Sequence, residues 1–452
     1  MSTAPKESPT SANVRQITAQ YTYGTWRKQK GWNPLHIVAA EGCYFTDSDG
    51  KRYLDFSGQL MCLPLGHQNP AIIKAIEEQA RTLAYIGPGY ATDARANLAT
   101  LLLEVLPKGL EKFFFTTSGT DANEAAFKIA RMFTGKSKII SRYRSYHGST
   151  SGSIAATGDP RRWAMEPAGK MPGTIFAPEV NCYKCPIGHT YPGCGIACVE
   201  YIEHMIRNED DVAAVIVEPI VGTNGVLVPP QEYLPRLRQI CDATGTLLIA
   251  DEVMSGWCRT GHWFAVDHWN VQPDILTTAK GITNAMVPLG LCATTQRIAQ
   301  YFDDRFFAHG HTYEAHPLML APAVACIHEM QRMKLADRAR ELGAYLGQKL
   351  NELKPRHRSI GDVRGLGMFW GVELVKNQRT KQPFNTGQDK VSGAPLVVDK
   401  VSGQMMAKGV YLSSWMSHFV IAPPIIITRE EIDQAVKALD ESLSIADEQV
   451  EN

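Results

Sequence analysis

Leu247-Leu248-Ile249-Ala250-Asp251 and Ile275-Leu276-Thr277-Thr278-Ala279-Lys280 are two apolar runs, the first closed by an acid and the second by a base. Such runs read as buried strands whose last residue emerges at the carboxyl edge of a sheet. Three more lie upstream, Phe113-Phe114-Phe115, Lys138-Ile139-Ile140 and residues 213–217, each separated from the next by helix-like sequence. The alternation, which extends from about residue 113 to residue 295, predicts βαβ units. The expected fold is therefore α/β, with a mainly parallel central sheet covered by helices on both faces. Ligands of such a sheet bind beyond the carboxyl ends of its strands, where Asp251 and Lys280 fall.

Taken singly, each motif has an ordinary explanation. A Lys-Gly pair after a strand is commonly a solvated strand end, and an Asp-Glu pair after an apolar run is commonly a helix start. What changes the reading is the sequence upstream. The run 113–117 leads into Ser118-Gly119-Thr120-Asp121-Ala122-Asn123-Glu124, and residues 125–133 have helical character. Two hydroxyls, a glycine and the free amides of a first helical turn make a seat for a phosphate. Asp121 and Glu124 also suit plain helix capping. The next strand, ending near Ser141, is followed by Tyr146-His147-Gly148, an aromatic pair placed to stack on a flat heteroaromatic ring or to pack a turn. A phosphate seat, a stacking pair, a buried amine and a carboxylate together meet the needs of pyridoxal 5'-phosphate. Lys280 would condense with the aldehyde and shuttle a proton as general base and acid, while Asp251 would keep the pyridine nitrogen protonated.

Composition narrows the field. The chain has 452 residues, 44% apolar and 20% charged, as expected of a globular enzyme of more than one domain. Lys plus Arg and Asp plus Glu balance at 46 each, so nucleic acid and anionic membranes are not expected partners and small molecules are. Residues 1–14 are polar, without the apolar core of a signal peptide, and no segment reaches membrane-spanning length, which points to a cytoplasmic protein. Cys182, Cys185, Cys194 and Cys198 lie close together and could ligate zinc. The uneven spacing and the nearby Gly193 and Gly195 favour four packed or partly exposed thiols, so no metal site is expected.

Three segments are anticipated: residues 1–69, which belong with a small domain; residues 70–333, the large cofactor-binding domain; and residues 334–452, a small α+β domain. Residues 42–56 read as a hairpin about Asp47-Ser48-Asp49-Gly50. A long helical stretch follows His316-Pro317, and Leu335, Ala339, Leu342, Leu346, Leu350 and Leu353 then form one helical stripe. Residues 363–374 and 419–428 read as strands, Thr428 with Glu431 as the start of a last helix, and residues 377–392 as a polar linker.

Ser118-Gly119-Thr120, Tyr146-His147-Gly148, Glu218-Pro219, Asp251-Glu252-Val253 with Arg259-Thr260-Gly261, and Thr278-Ala279-Lys280-Gly281 occur in this order. Together they resemble the class III, or ω-, aminotransferases, which are pyridoxal-phosphate enzymes of fold type I. The resemblance implies that Val253 packs on the ring face opposite Tyr146 and His147, and that Glu218 lies near the cofactor on the substrate side. It also implies a homodimer with shared active sites, in which Thr312 of His311-Thr312-Tyr313 completes the partner's phosphate site.

Amino-acid-specific members of the family carry an arginine just after the Tyr-His-Gly motif or shortly before a C-terminal Pro-Pro turn. Here Ser149 takes the first place, and residues 413–422 before Pro423-Pro424 contain no arginine. Arg162 is then the candidate cation for a substrate acid group; otherwise the enzyme accepts plain amines. The stretch 158–163 resembles that of members acting on taurine-type substrates. Trp26, Leu60, Met61 and Tyr146 are expected to line the substrate pocket, with Met61 in place of a tryptophan found in several amine-accepting members. The expected reaction passes an amino group from a terminal amine or ω-amino acid to a keto acid such as pyruvate. A taurine-type (aminosulfonate) transfer, or a decarboxylase or isomerase on the same fold, is the alternative.

Overall fold

The computed structural model describes residues 10–166, 169 and 171–451. Of the polar N-terminal stretch, residues 1–9 lie outside the described residues. Ser11–Tyr21 is a helix capped by Thr10, whose hydroxyl accepts from the Asn13 amide. A three-stranded meander follows, β1 (Ile37–Glu41), β2 (Tyr44–Asp47) and β3 (Arg52–Asp55), all antiparallel.

The central sheet has seven strands: β4 (Leu110–Thr116), β5 (Lys138–Arg142), β6 (Thr174–Ala177), β7 (Val212–Val217), β8 (Leu247–Asp251), β9 (Ile275–Thr278) and β10 (Gly290–Thr295). Their order is β4-β10-β9-β8-β7-β5-β6. The neighbours from β6 to β9 are parallel, and β10 runs antiparallel to both β9 and β4. Alternation within a strand explains why both faces are apolar. In β7, Val215 and Val217 pack into a core with the helices Ala197–Glu209 and Tyr233–Thr244. Ala214 and Ile216 face the other way, into a core with the helix Gly119–Thr134. With no solvated face, the strand needs no polar residue, which is why these strands read as continuous apolar runs.

The rest of the chain packs at one side. Helix Pro317–Arg332 is followed by helix Leu335–Leu353, in which all six residues of the anticipated stripe are buried. A second antiparallel sheet comprises β11 (Ile360–Leu366), β12 (Phe369–Asn377), β16 (His418–Ile421) and β15 (Ser413–Trp415), with β13 (Gln382–Pro383) paired on β12. Strand β14 (Val410–Tyr411) pairs in parallel with β3, so the N-terminal meander is completed by a strand from the last quarter of the chain.

Three readings of the sequence need correction. Residues 363–374 are parts of two strands, which reverse at Gly367-Met368. The strand read over 419–428 stops at Ile421, because Pro423 and Pro424 supply no N–H for a ladder. Residues 377–392 hold β13 and the short helix Gly387–Ser392, closed by a Thr386/Asp389 capping box. Thr428 and Glu431 do form the capping box of the last helix, Arg429–Asp447. Among the described residues no helix is long and apolar enough to cross a membrane.

Candidate active site

The carboxyl ends of β4, β5, β7, β8 and β9 open on a cavity of about 430 Å³. Its lining includes Ser118, Gly119, Thr120, Tyr146, His147, Glu218, Asp251, Val253 and Lys280, nine of the ten residues anticipated for the cofactor. The parallel strands bring these together from five separate loops.

Asp251 ends β8 and is buried, 3% exposed. Its Oδ2 accepts from Asn123 Nδ2 at 2.8 Å and faces His147 Nδ1 at 2.8 Å; its Oδ1 accepts from the Val253 amide at 3.1 Å. Asn123 is held in turn: its Nδ2 also donates to the His147 carbonyl at 2.7 Å, and its Oδ1 accepts from Thr277 Oγ1 at 2.6 Å. The carboxylate is thus fixed by three donors, an arrangement that suits a ring anchor. His147 must present an N–H from Nδ1 to this oxygen, which leaves Nε2 buried and unpartnered in the cavity wall. Asn123 was not singled out from the sequence. The available signal was a buried polar residue in the second turn of a helix, one turn beyond a phosphate-type motif.

Lys280 opens a short helical turn after β9 with φ +52°, a left-handed backbone that is strained for a lysine and turns its amine into the cavity. Burial lowers its pKa from the ordinary 10.5, against the opposing pull of Cys62, Asp251 and Glu218. Glu218, buried beyond the end of β7, accepts from the Tyr146 amide at 3.0 Å and the Gly222 amide at 2.7 Å. Burial raises its pKa.

The phosphate seat differs in detail from the sequence reading. Ser118 caps the helix Gly119–Thr134, its hydroxyl accepting from the Asp121 amide at 3.4 Å. Thr120 Oγ1 accepts from the amides of Ser149 and Thr150 and pairs with Thr150 Oγ1 at 2.8 Å. Both hydroxyls are therefore engaged, and the N–H groups of Ser118, Gly119 and Thr120 are without a recorded acceptor among the described residues. A Cβ on Gly119 would stand 2.9 Å from both methyls of Val253, so only glycine lets the helix start approach that wall. A cavity lined by Val253 and Tyr146, by the start of a helix with free amides, by a fixed carboxylate and by a buried amine has the groups that pyridoxal 5'-phosphate needs.

Thr312 does not line the cavity of its own chain. It is exposed, and its carbonyl accepts from Tyr85 Oη at 3.1 Å. Leu60 and Met61 do not line it either. Gln59 and Met61 have positive φ, and this irregular turn leaves Leu60 on the surface and packs Met61 into the core.

Arg162, anticipated at the substrate, is not among the residues lining this cavity. Its Nε donates to the Thr157 carbonyl at 2.8 Å, Nη1 pairs with Glu166, and the guanidinium lies 4.4 Å over Phe176. It lines a separate small cavity with Ile154 and Met165. The adjacent Arg161 instead packs against Tyr146, a residue that lines the cavity. Its guanidinium carbon sits 3.7 Å from the centroid of Tyr146, 4.5 Å from Trp415 and 5.6 Å from Trp26. Trp26 meets Tyr146 edge-on at 6.3 Å.

Among the described residues no group of three or more His, Cys, Asp or Glu is arranged to hold a metal ion, and all ten cysteines are free. Cys182 is exposed, and Cys185, Cys194 and Cys198 are half-buried.

Residues 26–443 match the family model for class III aminotransferases. The taurine–pyruvate aminotransferase of Bilophila wadsworthia is 31% identical, the alignment covering 97% of this chain and 98% of that one. A leucine/methionine racemase of Thermococcus litoralis is 34% identical over 92% of each chain. The crystal structure of taurine:2-oxoglutarate aminotransferase from Bifidobacterium kashiwanohense, in complex with PLP and glutamate, superposes with a TM-score of 0.93 at 36% identity, over 98% of this chain and 100% of that one. With this site, on this sheet, and with these relatives, the chain belongs to the class III aminotransferases, pyridoxal-phosphate-dependent enzymes of fold type I.

Proposed function

We propose that this aminotransferase takes the amino group of a short donor bearing an acid group at its far end, an ω-amino acid or an aminosulfonate, and passes it to a keto acid such as pyruvate. The observation that carries this reading is Arg161, a guanidinium stacked on Tyr146, whose ring lines the cofactor cavity. Its positive charge reaches the Lys280 amine, whose pKa it helps to lower. A substrate acid group docked on Arg161 would leave the other end of a short chain beside Lys280.

Pyridoxal 5'-phosphate supplies a protonated ring that accepts the electrons released when the substrate's nitrogen-bearing carbon loses its proton. Lys280 Nζ takes that proton and returns it, and burial lowers the pKa of the amine in the direction this requires. Asp251, held by Asn123 and His147, would hold the ring nitrogen of the cofactor in its protonated form. Glu218 fixes Tyr146 through its backbone amide, and Tyr146 and Val253, which both line the cavity, would pack against the ring.

Thr312 acts in the partner's site in this reading, and the enzyme is a homodimer. Support comes from its exposure on a segment outside its own cavity. A cytoplasmic location fits ten free thiols.

The racemase among the relatives gives a specific reason to test isomerisation. Amine donor alone, without keto acid, is added to the cofactor-loaded enzyme and absorbance is followed. Transfer converts the aldehyde form stoichiometrically to the amine form. With a chiral amino acid as donor, its inversion with the aldehyde form persisting rejects transfer. A donor panel comparing aminosulfonate, ω-amino acid and plain amine then tests Arg161: Arg161→Ala should raise the KM of the two acid-bearing donors by roughly ten- to a hundred-fold, as for loss of a charge-assisted contact. Equal effects on all three donors would remove Arg161 from the acid-group site.

A further inference from the structure

The geometry points to Asp159 and Asn224 as a positioning pair that sets which edge of Arg161 meets the substrate, and so sets acid-group selectivity. The inference rests on the reading that Arg161 receives that group. Asp159 is 2% exposed and clasps the guanidinium along one edge: Oδ1 and Oδ2 accept from Nε at 3.1 and 2.8 Å, and Oδ2 also accepts from Nη2. Thr223 Oγ1 accepts a further bond from Nη2 at 3.2 Å. Nε and Nη2 are therefore spent, and Nη1 is the nitrogen without a recorded acceptor among the described residues. Arg161 cannot offer a carboxylate the two-nitrogen fork that makes arginine selective for planar acids. One nitrogen with two N–H groups suits a single oxygen of either a carboxylate or a tetrahedral sulfonate.

Asn224 fixes this clasp. It is fully buried, and its Nδ2 donates to Asp159 Oδ2 at 3.0 Å while its own Oδ1 is left buried without a partner. Reversing the amide would set oxygen against carboxylate, so the side chain is oriented for Asp159 at the expense of its own oxygen. The backbone beneath is held from three elements. His418 Nε2 on β16 bonds the Thr223 carbonyl at 2.7 Å, Arg144 Nη2 bonds the Asn224 carbonyl at 2.7 Å, and Arg364 Nε on β11 bonds the Gly225 carbonyl at 2.9 Å. The second sheet thus reaches the Asp159–Arg161 clasp through residues 223–225.

The test measures the donor half-reaction of cofactor-loaded enzyme by single-turnover absorbance, with 2-aminoethanesulfonate and with benzylamine. The readout is the ratio of their half-saturation concentrations, which a general loss of structure would not move. Asn224→Ala is expected to shift that ratio against the sulfonate by roughly ten-fold, and Thr223→Val by about two- to three-fold in the same direction. If Asn224→Ala fails to fold, Thr223→Val decides. An unmoved ratio in the variants that fold, while Arg161→Ala does move it, overturns the positioning role and leaves the acid-group reading standing. A ratio unmoved by Arg161→Ala itself overturns both.

Discussion

In the proposed function two side chains, Lys280 and Asp251, carry the chemistry, and each role can be tested by substitution. Lys280→Ala removes the amine but none of the phosphate seat. Cofactor should still bind, borohydride reduction should no longer fix it to the chain, and turnover should fall by at least about 10²- to 10⁴-fold, the range for a positioned general base. Asp251→Asn should keep the reducible link at Lys280 and lose much of the rate, because Asn123 and His147 then hold a neutral amide beside the ring nitrogen. Near-native turnover in either variant rejects the assignment. Burial also has a pH signature. Only the unprotonated amine condenses with an aldehyde, and the pKa of Lys280 lies below 10.5. The rate of cofactor uptake by apoenzyme should rise with pH and level off below that value; a rate still climbing through pH 10.5 would show an ordinary exposed amine. Lys280, Asp251 and the Ser118 motif were legible in sequence because each closes an apolar run. Arg161 and Arg162 were not separable, since neighbours at a turn share the same sequence signal and only the Asp159 clasp and the Glu166 pair show which one turns inward.

At the scale of elements, burial on both faces made β4, β5, β7, β8 and β9 readable, while Thr174–Ala177 and Gly290–Thr295 were too short or too rich in small and hydroxylated residues to stand out. The polar stretch 377–392 was misread because its polar groups, though largely exposed, satisfy one another locally, Thr386 with Asp389 and Asn377 with Thr380, which fixes the backbone in a strand and a helical turn. Helix Leu335–Leu353 gives a quantitative test of packing. A Cβ on Gly343 would stand 2.1 Å from the Gly367 carbonyl oxygen, at the turn joining β11 and β12. Alanine gains about 1 kcal/mol of helix propensity over glycine, but here backbone must move to admit it, which costs roughly 1–3 kcal/mol. Gly343→Ala should therefore lower the denaturation midpoint. A raised midpoint would mean that the helix stands farther from the turn.

For the whole molecule, the decisive matter is whose cavity Thr312 serves. Mixing Lys280→Ala chains with Thr312→Ala chains separates the possibilities, with cofactor kept low enough that Thr312→Ala homodimers are nearly empty. If Thr312 completes the site of the partner, a mixed dimer puts both defects into the cavity of the Lys280→Ala chain and leaves the other cavity intact. Free exchange of subunits then makes half the dimers mixed, and about a quarter of all sites are whole. If Thr312 serves its own chain, each mixed dimer has one defect in each cavity and nothing is restored. The first outcome is expected, because the threonine is exposed and outside its own cavity, while that cavity already holds the helix amides, the carboxylate and the amine from its own strands. Activity that stays at the level of the separate variants after exchange would return Thr312 to its own chain and remove the reason for an obligate dimer.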